Sequence, residues 1–158
     1  LQEEDLVRIK NGMKEEGKIP SRAVKFHELI YQNNPGISAV LLAHPMHVMA
    51  FAVTDAKLDP RTIPESYILL RGIAKEPYES IFGKPGETSK KFSSRVPALI
   101  FQNDCVVVTG ANLLQAFDRL EVAETTAASI IASREVGKIV HITEKEVDDL
   151  KTAFRLHD

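Results

Sequence analysis

Short apolar runs constrain the fold of this chain more than any other feature of its sequence. Residues 37–42 are nearly all apolar, and residues 98–101 and 105–108 are apolar and rich in β-branched side chains. Each run has the length of a strand, and a nearly continuous apolar run is typical of a strand buried on both faces. Asn103 and Asp104 separate the last two runs and indicate a hairpin or a bulge between two strands.

Two helical patterns follow these runs. The stronger one predicts a helix over residues 113–134, with Asn112 as its N-cap and Gln115 at the third helical position. The second predicts a helix that begins after Thr143, because Thr143 and Glu146 have the spacing of a capping box. Both starts are local signals, so they predict where helices begin independently of the rest of the fold.

Strands and helices mix along the chain without strict β-α-β alternation, which argues against a Rossmann fold. Neither GxGxxG nor GxxxxGK[ST] occurs in the sequence, so the phosphate loops of the common nucleotide-binding folds are missing. We expect an α/β fold, a three-layer sandwich in which helices flank a central, largely antiparallel sheet. The length of 158 residues is typical of a single domain, which we expect to cover residues 1–158.

Charge and hydropathy exclude several classes of function. The 20 Lys and Arg and the 22 Asp and Glu leave a net charge of -2, which excludes a strongly basic nucleic-acid-binding protein. No apolar stretch approaches the roughly 20 residues that a membrane span needs, so we expect no membrane partner. Cys105 is the only cysteine and cannot form an internal disulfide, which favours a reducing, cytoplasmic location.

Two histidines form the first candidate site. His44 and His47 are three residues apart where a predicted strand turns into a predicted helix. Such a junction can present imidazoles to a metal ion. The alternative is a helix start with one exposed and one packed histidine, and spacing alone favours it, because HxxH lacks the closed pattern of known zinc motifs.

Polar residues between the last two apolar runs form a second candidate. Asp104 could be a metal ligand or a base, but a turn is the better interpretation from local sequence, since Asn and Asp favour turns. Cys105 begins an apolar strand and is expected to be a small buried hydrophobe. On the long helix, Glu121 and Glu124 could pair as carboxylates, although a solvated or interface edge is the more common location for such residues.

A third candidate is the start of the predicted helix that follows Pro20. Ser21 and Arg22 lie where a helix N-terminus, a hydroxyl and a guanidinium could together bind an anion. The more common alternative is an ordinary N-cap at Ser21 beside a solvated arginine. The sequence leaves both interpretations open.

Five segments in order resemble the class II aldolase/adducin family, whose members include L-fuculose-phosphate aldolase and L-ribulose-5-phosphate 4-epimerase. Residues 1–7 resemble L-x-x-E-D-L-V, and residues 17–27 resemble G-K-x-P-S-S-E-x-x-x-H. Residues 39–52 resemble the strand and helix that carry an H-x-H metal pair. Residues 96–110 resemble x-P-A-L-L-L-x-N-H-G-V-V-V-x-G, and residues 116–124 resemble A-F-x-x-x-E-x-x-E. The order of the five matches is more specific than any one of them.

The resemblance implies a mixed α/β fold with a central antiparallel sheet and a homotetramer with sites at subunit interfaces. It implies a sugar-phosphate substrate and a divalent metal, zinc or a similar ion, held mainly by histidines. The metal would act as a Lewis acid on the substrate carbonyl. The family's leading helix and its phosphate loop precede residue 1, so we expect this chain to lack them and to be a piece of a longer protein.

The departures from the family pattern fall on its chemical residues. Leu42 stands at the first histidine of the H-x-H pair, and only the second remains, as His44. Asp104 stands at the third histidine, Ala23 at the proton-transferring glutamate and Arg22 at the second serine of the phosphate pair. Leucine cannot bind a metal and alanine cannot transfer a proton, so the resemblance implies an altered site.

Part of the implied site remains. His44 and Asp104, with His47, could hold a metal more weakly, and Asp suits a harder metal than His does. Ser21 and Arg22 could still bind a phosphate. Tyr67 falls near a tyrosine that some aldolases use in the site, although this alignment needs a gap.

Two functions therefore stay open, and whether the chain is an enzyme is undecided. The first, slightly favoured, is a sugar-phosphate aldolase or epimerase with impaired or altered catalysis. The second is a non-catalytic, oligomeric binding module, which the head domain of adducin resembles.

Overall fold

The apolar runs form neighbouring strands of one four-stranded sheet in the computed structural model, which describes residues 2–156. The strands lie in the order β3-β6-β5-β4. Their bounds are Ala39–Ala43 for β3, Ala74–Glu76 for β4, Ala98–Phe101 for β5 and Val106–Gly110 for β6. The apolar strands β5 and β6 occupy the centre, as their nearly continuous apolar sequence predicts.

The sheet is mixed, so the expectation of a largely antiparallel sheet is wrong. β6 is antiparallel to both β3 and β5, but β4 runs parallel to β5. A parallel pair needs a long crossover connection, and residues 77–97 supply it between β4 and β5. The α/β class with helices flanking a central sheet is confirmed.

Six helices and one hairpin complete the fold among the described residues. The helices are α1 (Val24–Asn33), α2 (Met46–Ala52), α3 (Pro64–Leu70), α4 (Pro85–Ser89), α5 (Leu113–Val136) and α6 (Glu144–Phe154), with short 3-10 turns at Glu3–Asp5 and Tyr78–Ser80. The hairpin joins β1 (Ile9–Lys10) to β2 (Met13–Lys14). Its turn has positive φ at both Asn11 (53°) and Gly12 (74°), as a type I′ turn requires.

Side chains alternate between the two faces of the sheet and build two apolar clusters. The first cluster packs one face, including Ile100 and Val108, against helices α2, α3 and α5. The second packs the other face, including Leu99 and Val107, against Phe26 and Ile30 of α1. Helices therefore cover both faces, which explains why the central strands are buried at every position.

Local signals fixed the starts of the last two helices. The Asn112 side chain accepts a hydrogen bond from the Gln115 amide at 2.8 Å. The Glu146 carboxylate accepts from the Thr143 amide at 2.8 Å, and Thr143 Oγ1 accepts from the Glu146 amide at 3.3 Å. The predicted N-cap and the predicted capping box are both confirmed.

The strand-to-helix connection between β6 and α5 is unusually close. A Cβ on Gly110 would lie 2.6 Å from the Ala116 amide nitrogen and 2.8 Å from the Asn112 carbonyl oxygen. Only glycine leaves room for this approach.

No helix among the described residues has the length and apolar character to cross a membrane. Residues 1, 157 and 158 lie outside the described part, so the single domain over residues 1–158 stays a prediction.

Candidate functional site

The ends of β3 and β6 bring two of the predicted site residues to one end of the sheet. Ala43, the last residue of β3, pairs with Val106, the first residue of β6. His44 follows β3 directly and Asp104 precedes β6, so both lie at the same end, here called the His44 end. His44 is exposed and Asp104 is half-buried. The turn that carries Asp104 is also joined to α2, because the Asn103 amide donates to the Ala52 carbonyl at 3.1 Å.

Asp104 lies in a tight turn, as the local sequence favoured. Its amide donates to the Phe101 carbonyl at 3.1 Å, and Asn103 has a φ of 55°, a left-handed conformation that asparagine tolerates. Cys105 is buried, as expected of a small hydrophobe. Burial, with a contribution from the Asp104 charge, raises the pKa of its thiol to about 12, so the thiol stays protonated and poorly nucleophilic.

Leu42 is half-buried and packs against the second apolar cluster. It pairs with Val107 across the sheet, among residues whose side chains are apolar. Its side chain carries no lone pair, so the position where the resemblance places the first histidine supplies no metal ligand. Ala23, where the resemblance places a glutamate, is only 6% exposed and carries no titratable group.

His47 is held by a partner on the long helix. Its ring Nδ1 lies 2.7 Å from Glu124 Oε1. The same carboxylate accepts hydrogen bonds from the backbone amides of His47, at 3.0 and 3.1 Å, and of Val48, at 3.0 Å. These amides belong to the first turn of α2, which begins after Pro45 and has no side-chain cap of its own.

Glu124 therefore caps a helix from which it is distant in sequence. Burial raises its pKa, but hydrogen bonds from His47 and Val48 outweigh burial and leave the pKa lowered. Both glutamates were expected at a solvated or interface edge. Glu121 is exposed, as expected. For Glu124 the expectation is wrong, because its half-buried carboxylate faces α2. A negative charge at this helix start is also favoured by the helix dipole.

The donor set at the His44 end does not fit a metal held by three protein ligands. Among residues 2–156, no group of three or more His, Cys, Asp or Glu side chains is placed to hold a metal ion. His44, Asp104 and His47 thus share one end of the sheet without forming such a group. Their assignment as ligands stays a prediction.

Ser21 and Arg22 lie exposed just before α1. The sequence suggested Ser21 as the N-cap of α1, and this is wrong, because the cap position is Ala23. The chain first makes a turn in which the Val24 amide donates to the Ser21 carbonyl at 3.1 Å. Its hydroxyl accepts from the Ala23 amide at 3.2 Å instead. The Arg22 guanidinium lies 5.6 Å from the centre of the Phe82 ring, within the range of a cation–π contact.

Tyr67 lies in α3 and is 8% exposed. Helix α3 packs through Leu70 into the first cluster, on the face of the sheet opposite to Leu42. Within this chain, therefore, the fold places Tyr67 and Leu42 on different faces. The catalytic role of Tyr67 stays a prediction.

Sequence analysis missed the capping role of Glu124. The sequence showed only that Glu124 lies beside the apolar face of α5, next to the buried Ala123. Its partners are 76 and 77 residues away, so nothing local identified them.

A family model and curated relatives match this chain over most of its length. The model described as Class II Aldolase and Adducin N-terminal domain matches residues 1–131. The chain is 32% identical over 143 residues to the 3-oxo-tetronate 4-phosphate decarboxylase of Pectobacterium atrosepticum, a match that covers 85% of this chain and 63% of that protein. It is 33% identical over 129 residues to the L-fuculose phosphate aldolase of Methanococcus maripaludis, covering 80% of this chain and 69% of the relative.

Solved structures share the architecture. The YgbL protein of Klebsiella pneumoniae superposes with a TM-score of 0.70 at 28% identity, over 88% of this chain and 69% of that one. An L-fuculose 1-phosphate aldolase superposes with a TM-score of 0.77 at 22% identity, over 99% of this chain and 74% of that one, and so shares the fold. The match to the decarboxylase spans less than two thirds of its length, at 63%.

Proposed function

Because the chain belongs to the class II aldolase and adducin N-terminal domain family, we propose that it binds a small sugar phosphate while its metal-dependent lyase chemistry is impaired. The relatives support the substrate class, since they are named for the phosphorylated compounds L-fuculose phosphate and 3-oxo-tetronate 4-phosphate. One observation carries the impairment. Leu42 packs into an apolar cluster where the resemblance puts a metal-binding histidine.

A bound divalent metal supplies a Lewis acid that stabilises negative charge developing on a carbonyl oxygen. Catalytic zinc sites have three protein ligands, and removing one sharply weakens the site. Here one imidazole, His44, remains from the donor set implied by the resemblance, and Asp104 stands at the position of another. Ala23 removes the group that would transfer protons. Both losses affect the bond-breaking step and not the binding of a phosphate.

Ser21 and Arg22 support the binding of a phosphate. Both are exposed at the start of α1. An arginine presents a rigid fork that matches phosphate oxygens, so Arg22 adds a fixed positive charge where the resemblance has a second serine. We propose that these two residues bind the phosphate group of the ligand.

A homo-oligomer, a tetramer by the resemblance, and a cytoplasmic location complete the proposal. The start of α5 supports association, since Leu113, Leu114 and Phe117 are all more than half exposed. Neighbouring exposed apolar side chains on one surface are a common mark of a protein interface.

An enzyme with a rebuilt metal site is the second candidate. It is favoured by the location of His44 and Asp104 at the same end of adjacent strands. A site with more oxygen ligands would select a harder metal than zinc.

Calorimetry and a cleavage assay with L-fuculose 1-phosphate test the proposal. We expect saturable binding by the wild-type chain, and about tenfold weaker binding by Arg22→Gln because the charged fork is lost. Lys25→Gln, an exposed substitution on the next turn, is the matched control and should bind normally.

We expect no cleavage products by mass spectrometry, with or without added zinc or manganese. Metal-stimulated cleavage would overturn the impairment and support the rebuilt site. Binding that is absent, or unchanged in Arg22→Gln, would overturn the assignment of the phosphate position.

A further inference from the structure

A polar cavity lies at the end of the sheet opposite to the His44 end. It has a volume of about 440 Å³ and lies where β6 ends, beside the end of α1 and the start of α5. We call it the arginine pocket and define it by Asn34, Ser93, Ser94, Thr109, Gln115 and Arg119 among its lining residues.

Arg119 brings a positive charge to this pocket without a matching negative one. One guanidinium nitrogen, Nη1, donates to the Thr109 carbonyl, a neutral acceptor, at 2.7 Å. Its Nε is buried and has no hydrogen-bond partner among the described residues. Within residues 2–156, the ion pairs of the structure do not include Arg119.

Burial and a neighbouring positive charge both disfavour the charged form of Arg119. Burial lowers the pKa of Arg119, and the positive charge of Arg71 lowers it further. Arginine nevertheless stays protonated in proteins. A half-buried charge with one neutral acceptor is unfavourable unless a counter-charge or further acceptors complete its shell. A buried donor without a partner commonly marks the place of a water, an ion or a ligand.

The rest of the pocket offers donors more than acceptors. The Gln115 side-chain oxygen already accepts from the Ala111 amide at 2.8 Å, so its amide nitrogen is the group left for a ligand. The Ser93 hydroxyl accepts from the Val96 amide at 3.0 Å, which leaves its hydrogen for a ligand. The Thr109 hydroxyl and the Asn34 amide nitrogen already donate to carbonyls of the protein, so these two side chains offer acceptors only. Ser94 lies exposed among the lining residues and adds a hydroxyl. A negatively charged, oxygen-rich group matches this composition.

We propose that the arginine pocket is an anion-binding site for a small molecule that carries a phosphate or a carboxylate group. Arginine recognises both groups through paired hydrogen bonds. The pocket is separate from Ser21 and Arg22. Those residues precede α1 and Asn34 follows it, and a helix of ten residues is about 15 Å long.

Titration of the isotopically labelled chain, followed by amide chemical shifts, tests this site. The probes are inorganic phosphate and acetate, each compared with sodium chloride at matched ionic strength. We expect saturable shifts of the Thr109, Gly110 and Gln115 amides. The stronger of the two probes assigns the ligand group as phosphate or carboxylate.

Two substitutions separate a binding role from a structural one. Arg119→Met removes the charge and keeps an unbranched stem, and should weaken binding about tenfold or more. Because this variant also loses the bond to the Thr109 carbonyl, Ser94→Asp provides a second test. It adds a negative charge to an exposed lining residue, keeps Arg119 and should weaken binding at least as much.

Arg22→Gln is the matched control at the other end of α1 and should leave the shifts at Thr109, Gly110 and Gln115 unchanged. Equal responses to chloride, phosphate and acetate would overturn the proposal. So would phosphate or acetate binding that survives Ser94→Asp at wild-type affinity in a folded protein. Neither result depends on whether a sugar phosphate binds near Ser21.

Discussion

The His44 end and the arginine pocket lie at opposite ends of the same strand, β6, and differ in how their polar groups are satisfied. At the His44 end, the Glu124 carboxylate takes up two backbone amides and the His47 ring. In the arginine pocket, the Arg119 guanidinium has one neutral acceptor and a buried Nε without a partner among the described residues.

The number of hydrogen-bond partners within the fold distinguishes a polar group with a structural role from one that can bind a ligand. Glu124 completes the start of a helix, so its charge has a use within the fold. Arg119 has a charge that the fold does not neutralise within residues 2–156. The end where the resemblance predicts metal chemistry is thus the better satisfied one. A shared fold keeps its scaffold while the chemistry of its sites changes with a few side chains.

The largest expected effect comes from Gly110, where β6 enters the arginine pocket. Gly110→Ala forces a Cβ to within 2.6 Å of the Ala116 amide nitrogen, so β6 and α5 must separate. We expect the free energy of unfolding to fall by about 3 kcal/mol, by analogy with overpacked sites. Urea denaturation measures it.

Gly137→Ala is the control for the Gly110 substitution. A Cβ there meets no atom within 4 Å, and its backbone is extended, with a φ of 165°. Its stability should change little. If the free energy of unfolding fell equally in the two variants, the close approach of β6 and α5 at Gly110 would not be the cause of the destabilisation.

The next largest effect tests the capping of α2 at the His44 end. Glu124→Ala leaves the His47 and Val48 amides without their acceptor, and should lower the free energy of unfolding by about 2 kcal/mol. Glu121→Ala, at an exposed position on the same helix, should change it by less than about 0.5 kcal/mol. Equal effects of the two substitutions in urea denaturation would contradict the capping role.

A smaller effect concerns the pH dependence that Glu124 creates. Its pKa is lowered from the ordinary 4.5 in the folded state, so its charge stabilises the fold above that value. This contribution is lost as the pH falls through the folded-state pKa. The difference in unfolding free energy between wild type and Glu124→Gln should therefore shrink as the pH falls below 4.5. A difference that stays constant with pH would show that the charge of Glu124 does not contribute.

Local sequence predicted the elements whose signals are local. The Asn112 cap and the Thr143 capping box each involve residues within four positions, and both are confirmed. The parallel pairing of β4 was missed because it depends on where residues 77–97 carry the chain, and no short pattern encodes that path.

The site was predictable only in part, for the same reason. The order of five motifs identified Leu42 as the departure at the metal position, and packing explains why it is apolar. The partnership of Glu124 with the start of α2 spans 77 residues and left no local trace. Arg119 is surrounded by the Thr109 carbonyl and by the charge of Arg71, which only the folded chain brings near it.

The metal content of the purified chain tests the central claim most directly. Elemental analysis would be made after incubation with excess zinc or manganese and removal of free metal. Leu42→His combined with Asp104→His, which restores the imidazoles implied by the resemblance, is the comparison. We predict less than about 0.1 equivalent of metal in the wild-type chain and a clear gain in the double variant, because three imidazoles are the protein ligands of a catalytic zinc site. About one equivalent in the wild-type chain, lost in His44→Ala, would contradict the account.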